Sequence, residues 1–121
     1  MFALEQVGQE RYKEIMDDMI EDCSYGISLS HRTNQVKEGT LFHEHKLLAL
    51  NELAKVYPRI YEPQLAQHIL SHIAFRVAVA KDYSFIEAMA MQAYEICQKY
   101  DDIDPELKEA VEEMMRMLGM L

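Results

Sequence analysis

Apolar residues recur along most of this chain at intervals of three and four, the spacing that gathers them on one face of a helix. In the segment Leu4–Cys23, Tyr12, Ile15, Met16, Met19, Ile20 and Cys23 share one side of a helical wheel, and Glu10, Glu14, Asp17, Asp18 and Glu21 lie elsewhere. The pattern then lapses over residues 24–40, SYGISLSHRTNQVKEGT. Gly26, Gly39, the serines and Asn34 read there as helix breakers. The expectation is a long loop, and a loop of that length inside a small domain is commonly functional or mobile.

Periodicity resumes after Thr40, a suitable N-cap, and runs from Leu41 to Tyr57 through Phe42, Ala49, Leu50, Leu53 and Val56. Pro58 closes this helix, because the residue before a proline is pushed out of helical geometry. Pro63 suits the first position of a third helix, residues 63–81. Leu65, Ile69, Leu70, Ile73, Ala74, Val77 and Ala80 cover more than half its circumference. A helix so apolar belongs at the centre of its bundle. Ser84 and Glu87 form a capping-box pattern for a fourth helix ending at Tyr100. Asp104 and Pro105 then read as N-cap and first position of a last helix, residues 105–118, with Gly119 as its terminator. The fold predicted is all-α, an irregular bundle of about five helices forming one domain over residues 1–121. Residues 63–81 are its central helix, and helices 4–23 and 105–118 are its acidic ends.

With four Gly, three Pro and half its 121 residues apolar, the composition suits long helices and a real core. Cys23 and Cys97 both fall on apolar stripes and read as buried, unreactive thiols of a reducing compartment. No run approaches the ~18 apolar residues of a membrane span. The start, MFALEQVGQERYKE, lacks the basic-then-apolar order of a secretory signal. The expectation is a cytoplasmic protein with no membrane contact, in its own cell or in the cytoplasm of an infected host.

The net charge of −9 is unevenly spread. Seven acids against two bases lie in residues 1–23, and the same in residues 101–121, while the middle is nearly neutral and holds all five histidines. Such ends disfavour direct nucleic-acid binding, which replaces counterions with Lys and Arg. The segment SFIEAMAMQAYEICQK, the candidate reading helix of a helix-turn-helix, carries Glu87 and Glu95 against Lys99 alone.

Candidate chemistry rests on the histidines. His43 and His45 open the second helix, and His68 and His72 stand one turn apart on the third. A His-x-x-x-His pair chelates a metal from one helical face, so these four are the alternative reading: a site for zinc or another divalent transition metal, with Glu44 as a further ligand. The segment His68-Ile-Leu-Ser-His72 lacks the glutamate of a zinc-protease helix, and no Glu-x-x-His of a di-iron bundle occurs. The simpler expectation is that His68, His72 and Arg76 form a row facing solvent or pairing with acids of the terminal helices. No Gly-rich phosphate loop and no assembled nucleophile is present, so no catalytic residue and no cofactor are assigned.

The remaining signal is the C-terminus, EEMMRMLGML, whose apolar residues occupy too much of the circumference for one buried face. Methionine fills cores and also builds adaptable binding surfaces. Met114, Met117, Leu118 and Met120, beside Glu109, Glu112 and Glu113, are therefore the expected partner-binding face. His31, Arg32 and Lys37 form a small basic patch in the loop. The function expected is a non-catalytic protein-interaction module: an adaptor, assembly factor or inhibitor. One version inhibits a nucleic-acid enzyme, as viral or mobile-element proteins do. The expected partner is another protein with a basic surface, or a second copy in a homodimer.

Overall fold

The computed structural model describes residues 2–121. Among the described residues there is no strand and there are five α-helices: α1 (Phe2–Arg32), α2 (Val36–Val56), α3 (Pro58–Phe75), α4 (Ile86–Lys99) and α5 (Pro105–Met117). A π-helical segment, Arg76–Ala80, continues α3. The all-α bundle expected from periodicity is the fold.

The long loop expected at residues 24–40 is instead helix on both sides of a tight connection at residues 33–35. The physical reason lies in the two glycines. Gly26 is buried inside α1, and a Cβ built there would stand 2.7 Å from the Phe42 ring. Gly39 is buried inside α2, where a Cβ would lie 3.1 Å from Ser30 Oγ and 3.2 Å from the Phe75 ring. Both serve close helix contact rather than chain reversal. The serines bond within the helix as well: Ser24 and Ser30 donate to the carbonyls of Ile20 and Ile27. The turn itself falls on Asn34, whose φ of 57° is left-handed and which tolerates that region better than most residues. His31 and Arg32 thus end α1 and Lys37 lies in the first turn of α2, all exposed.

Two predicted caps also differ. Thr40 lies within α2 and donates to the Val36 carbonyl. Pro58, rather than Pro63, opens α3, with Pro63 inside the helix. Asp104 caps α5 as expected, its Oδ1 accepting from Glu106 N–H at 3.0 Å. Gly119, at φ 73°, closes the other end through Gly119 and Met120 N–H bonds to the carbonyls of Arg116 and Met115.

Helix α3 packs against α2, α4 and α5, while α1 packs on α2. Leu65, Ala66 and Ile69 of α3 meet Leu50 and Leu53 of α2, Ala90, Ala93 and Ile96 of α4, and Leu107, Val111 and Met115 of α5, all buried. Each fully buried Leu or Ile contributes roughly 1.5–3 kcal/mol. One side-chain bridge reaches from α1 to α3: the Tyr61 hydroxyl donates to Asp17 at 2.7 Å, and Lys13 donates to the same carboxylate at 2.9 Å. Burial works to raise the Asp17 pKa, but those two hydrogen bonds outweigh it and hold the group below its ordinary value. Cys23 and Cys97 are both free and buried.

Candidate functional site

The row His68, His72, Arg76 turns inward. The three residues are buried, His72 completely, and they meet His43 from α2. The ring of His43 lies 5.4 Å from that of His68, 5.2 Å from that of His72 and 4.6 Å from that of Phe75, centroid to centroid. Three of the four candidate ligands therefore converge. His45 does not join them; it is exposed. The expectation of a solvated row, or one paired with the terminal helices, is corrected. Arg76 faces Glu44 of α2 at 3.4 Å and Asp82 of the following turn at 3.8 Å.

Hydrogen-bond chemistry fixes the protons. His68 Nε2 lies 2.9 Å from the His43 carbonyl oxygen. A carbonyl only accepts, so Nε2 carries the proton and Nδ1 keeps a lone pair. Arg76 Nε lies 3.1 Å from His72 Nε2. A guanidinium only donates, so Nε2 is bare and the proton of the neutral ring sits on Nδ1. Burial is the main force keeping all three rings neutral. It takes His43 down to about 3 and His68 and His72 to about 4, with neighbouring cationic groups adding to the effect. The Nδ1 atoms of His43 and His72 are enclosed and have no hydrogen-bond partner.

A zinc ion held by all three rings would need three lone pairs aimed at one point. Arg76 occupies the lone pair of His72 Nε2, keeps the proton on Nδ1 and sets a permanent cation against the ring. Among the described residues, no group of three or more His, Cys, Asp or Glu side chains is placed to hold a metal ion. As arranged, the cluster is a polar core device. Arg76 also donates to the Ser84 carbonyl at 2.6 Å, and Asp82 accepts from Ser84 N–H. These bonds hold Ser84 outside α4, so the predicted Ser84–Glu87 capping box does not form; Phe85, at φ 61°, precedes the first turn instead.

The C-terminal face is divided by the structure. Met117 is 80% exposed. Met114, Leu118 and Met120 are half-buried and pack against the core. An apolar groove of about 410 Å3 runs between α3 and α5, lined by Leu70, Ile73, Ala74 and Val77 on one side and Met114, Met117 and Leu118 on the other. Along the outside of α5, Glu106, Glu109 and Glu113 surround a shallow depression at Ala110. Glu113 pairs with Arg116 at 2.9 Å. Glu112 is half-buried and acts on Cys97 of α4, away from this rim.

A second cleft, of about 570 Å3, lies where α1, α2, α3 and the start of α5 meet, with Lys46 and His68 in its lining. Burial pushes the Lys46 ammonium below its ordinary pKa. The sequence offered Arg76 a place in the histidine row, but it marked Lys46 only as one charge in a mixed segment. The chain matches no protein-family model, and comparison with curated proteins and with solved structures gives no match. Among the described residues, no helix is long and apolar enough to cross a membrane.

Proposed function

We propose that this chain is a non-catalytic protein-binding module that takes an amphipathic helix of another polypeptide into the groove between α3 and α5. The observation that carries this reading is the pairing of an open apolar groove with an acidic rim on one helix. Apolar anchors in a groove are the usual way a helix is recognised. Met117, exposed at the mouth, has the adaptable side chain such surfaces use. Glu106, Glu109 and Glu113 beside it call for Lys or Arg flanking the partner's apolar stripe, which speeds encounter and selects among partners. A second copy is the weaker occupant, because pairing this face with itself brings two acidic rims together. A regulator or inhibitor of a basic protein, including a nucleic-acid enzyme, fits these requirements.

The test is affinity purification from the native cell with the wild-type chain, Met117→Lys and Glu109→Lys/Glu113→Lys. The partner should carry a basic amphipathic helix, bind as the isolated peptide and be lost with both variants. Retention by both variants, or a stable dimer of the wild-type chain by light scattering that Met117→Lys dissolves, overturns the reading.

A further inference from the structure

The cleft beside the histidine cluster is independent of the α3–α5 groove and has a distinct chemistry. Its floor is the face of α3 that carries Gln64, Gln67, His68 and Ser71. Lys46 and Leu50 of α2 form one wall, with Ile20 and Ser24 of α1 above them, and Asp104 and Leu107 of α5 form the other. Among the described residues, α2 and α5 do not pack on each other; each packs on α3.

The charges are opposite and apart. Lys46 is half-buried, and among the described residues no carboxylate comes within 4.0 Å of its ammonium, in a chain with 21 acids. A desolvated cation without a partner costs free energy that an anion placed beside it returns. Across the cleft, Asp104 uses Oδ1 for the Glu106 N–H and leaves Oδ2 uncommitted. That carboxylate repels a second negative charge and attracts a cation.

The wall between them is rich in acceptors. Ser24 and Ser71 give their hydroxyl protons to the carbonyls of Ile20 and His68, and Gln64 gives an amide proton to Ile60. Each keeps oxygen lone pairs. His68, with its proton on Nε2, keeps the lone pair of Nδ1. A ligand in this cleft therefore needs an anion at one end, a cation at the other and N–H donors between. Helices packed on a common neighbour lie about 8–10 Å from its axis, so the two walls stand on the order of 10 Å apart. An extended chain covers about 3.3–3.6 Å per residue, so two or three residues span that gap.

We propose that this cleft binds a free di- or tripeptide, its C-terminal carboxylate on Lys46, its N-terminal ammonium on Asp104 and apolar side chains against Ile20, Leu50 and Leu107. A single amino acid holds its charges too close together, and a phosphorylated metabolite brings a second negative charge toward Asp104.

The experiment is a titration of the full-length 15N-labelled chain with L-leucyl-L-leucine, followed by amide shifts. The controls are N-acetyl-leucyl-leucine, which lacks the ammonium, and leucyl-leucinamide, which lacks the carboxylate. Saturable shifts should appear at Ser24, Lys46, Gln67, Ser71 and Asp104. Capping either end should weaken binding about tenfold or more. Lys46→Met keeps the apolar stem and should abolish the preference for a free carboxylate. Asp104→Asn keeps the helix cap, because Asn caps as well as Asp, and should abolish the preference for a free ammonium. Absence of saturable shifts at millimolar dipeptide overturns the proposal. So does equal binding of both capped peptides, or binding by the two variants that matches wild type.

Discussion

Arg76 donates its Nε–H to the unprotonated Nε2 of His72 at 3.1 Å, both groups buried in the same side-chain cluster. The bond couples a permanent cation to a neutral imidazole, and it settles which nitrogen of that imidazole carries the proton. His68, one turn earlier, has the opposite tautomer because its Nε2 faces a carbonyl. Two histidines four residues apart on one helix should therefore show different 15N ring patterns: Nδ1–H for His72 and Nε2–H for His68. Long-range 15N–1H spectra at neutral pH check this directly. Matching Nε2–H tautomers would mean that Arg76 does not bond His72.

The same arginine anchors the segment between α3 and α4 through Ser84. Arg76→Met retains most of the apolar stem but strands the Ser84 carbonyl and returns His72 Nε2 to an unpaired state. Leaving a buried polar group unpaired costs about 1–3 kcal/mol, so a loss of about 2–4 kcal/mol is expected in urea denaturation. Hydrogen exchange should rise first over residues 81–86, the segment that the guanidinium holds.

The contact between α1 and α2 makes a sharper prediction. Alanine is favoured over glycine inside a helix by about 1 kcal/mol, so Gly→Ala is normally stabilising there. At Gly8, where a Cβ meets open space, the change should be neutral or gain up to about 1 kcal/mol. At Gly26 the new Cβ would stand 2.7 Å from the Phe42 ring, and the forced shift should cost about 1–3 kcal/mol and exceed the propensity gain. In a Phe42→Ala background the clash is gone, and Gly26→Ala should behave like Gly8→Ala. Melting temperatures of the four proteins suffice. Equal effects of the two glycine substitutions in the wild-type background would refute close packing at this crossing.

Gly26 also shows where the sequence was legible and where it was not. Elements defined by local chemistry could be read: the break at Tyr57–Pro58, the Asp104–Pro105 start of α5 and the Gly119 stop all act within a few residues. Gly26 and Gly39 were misread because their role is set by Phe42, Ser30 and Phe75. A glycine that makes room for a distant ring looks the same in sequence as one that breaks a helix. The Ser84–Glu87 pattern failed for a similar reason, since Arg76 and Asp82 hold Ser84 away from the helix end. Of the candidate sites, the exposure of Met117 was legible from its place on the wheel. The inward turn of His68, His72 and Arg76 was not, because periodicity cannot say which of two possible faces another helix covers.

The histidine cluster also fixes how stability depends on pH. His43, His68 and His72 have folded pKa values of about 3, 4 and 4, all below the ordinary 6.5. Above pH 6.5 the rings are neutral in both the folded and unfolded chain and contribute no slope. Below it the unfolded chain takes up protons that the folded chain refuses, so stability falls with falling pH until the folded values are reached. Arg76 and Lys46 steepen the refusal by opposing nearby positive charge, while Asp82 acts in the other direction at His72. Each histidine contributes up to about 1.4 kcal/mol per pH unit, so three impose up to about 4 kcal/mol per unit between pH 6 and 4. A domain with the usual ~5–15 kcal/mol of stability is exhausted within a few pH units of the start of that decline. Asp17, Glu62 and Asp82, all held below their ordinary values, add to the loss only at lower pH. Urea midpoints measured from pH 7.5 to 4.5 should therefore be flat at the top and drop steeply below about 6.5. His43→Phe removes one titrating ring, fills nearly the same space against Phe75 and leaves the backbone carbonyl that His68 uses. Its slope in the acidic range should be about one third smaller than wild type. A wild-type profile that stays level down to pH 5 would show that the three rings take up protons as readily folded as unfolded.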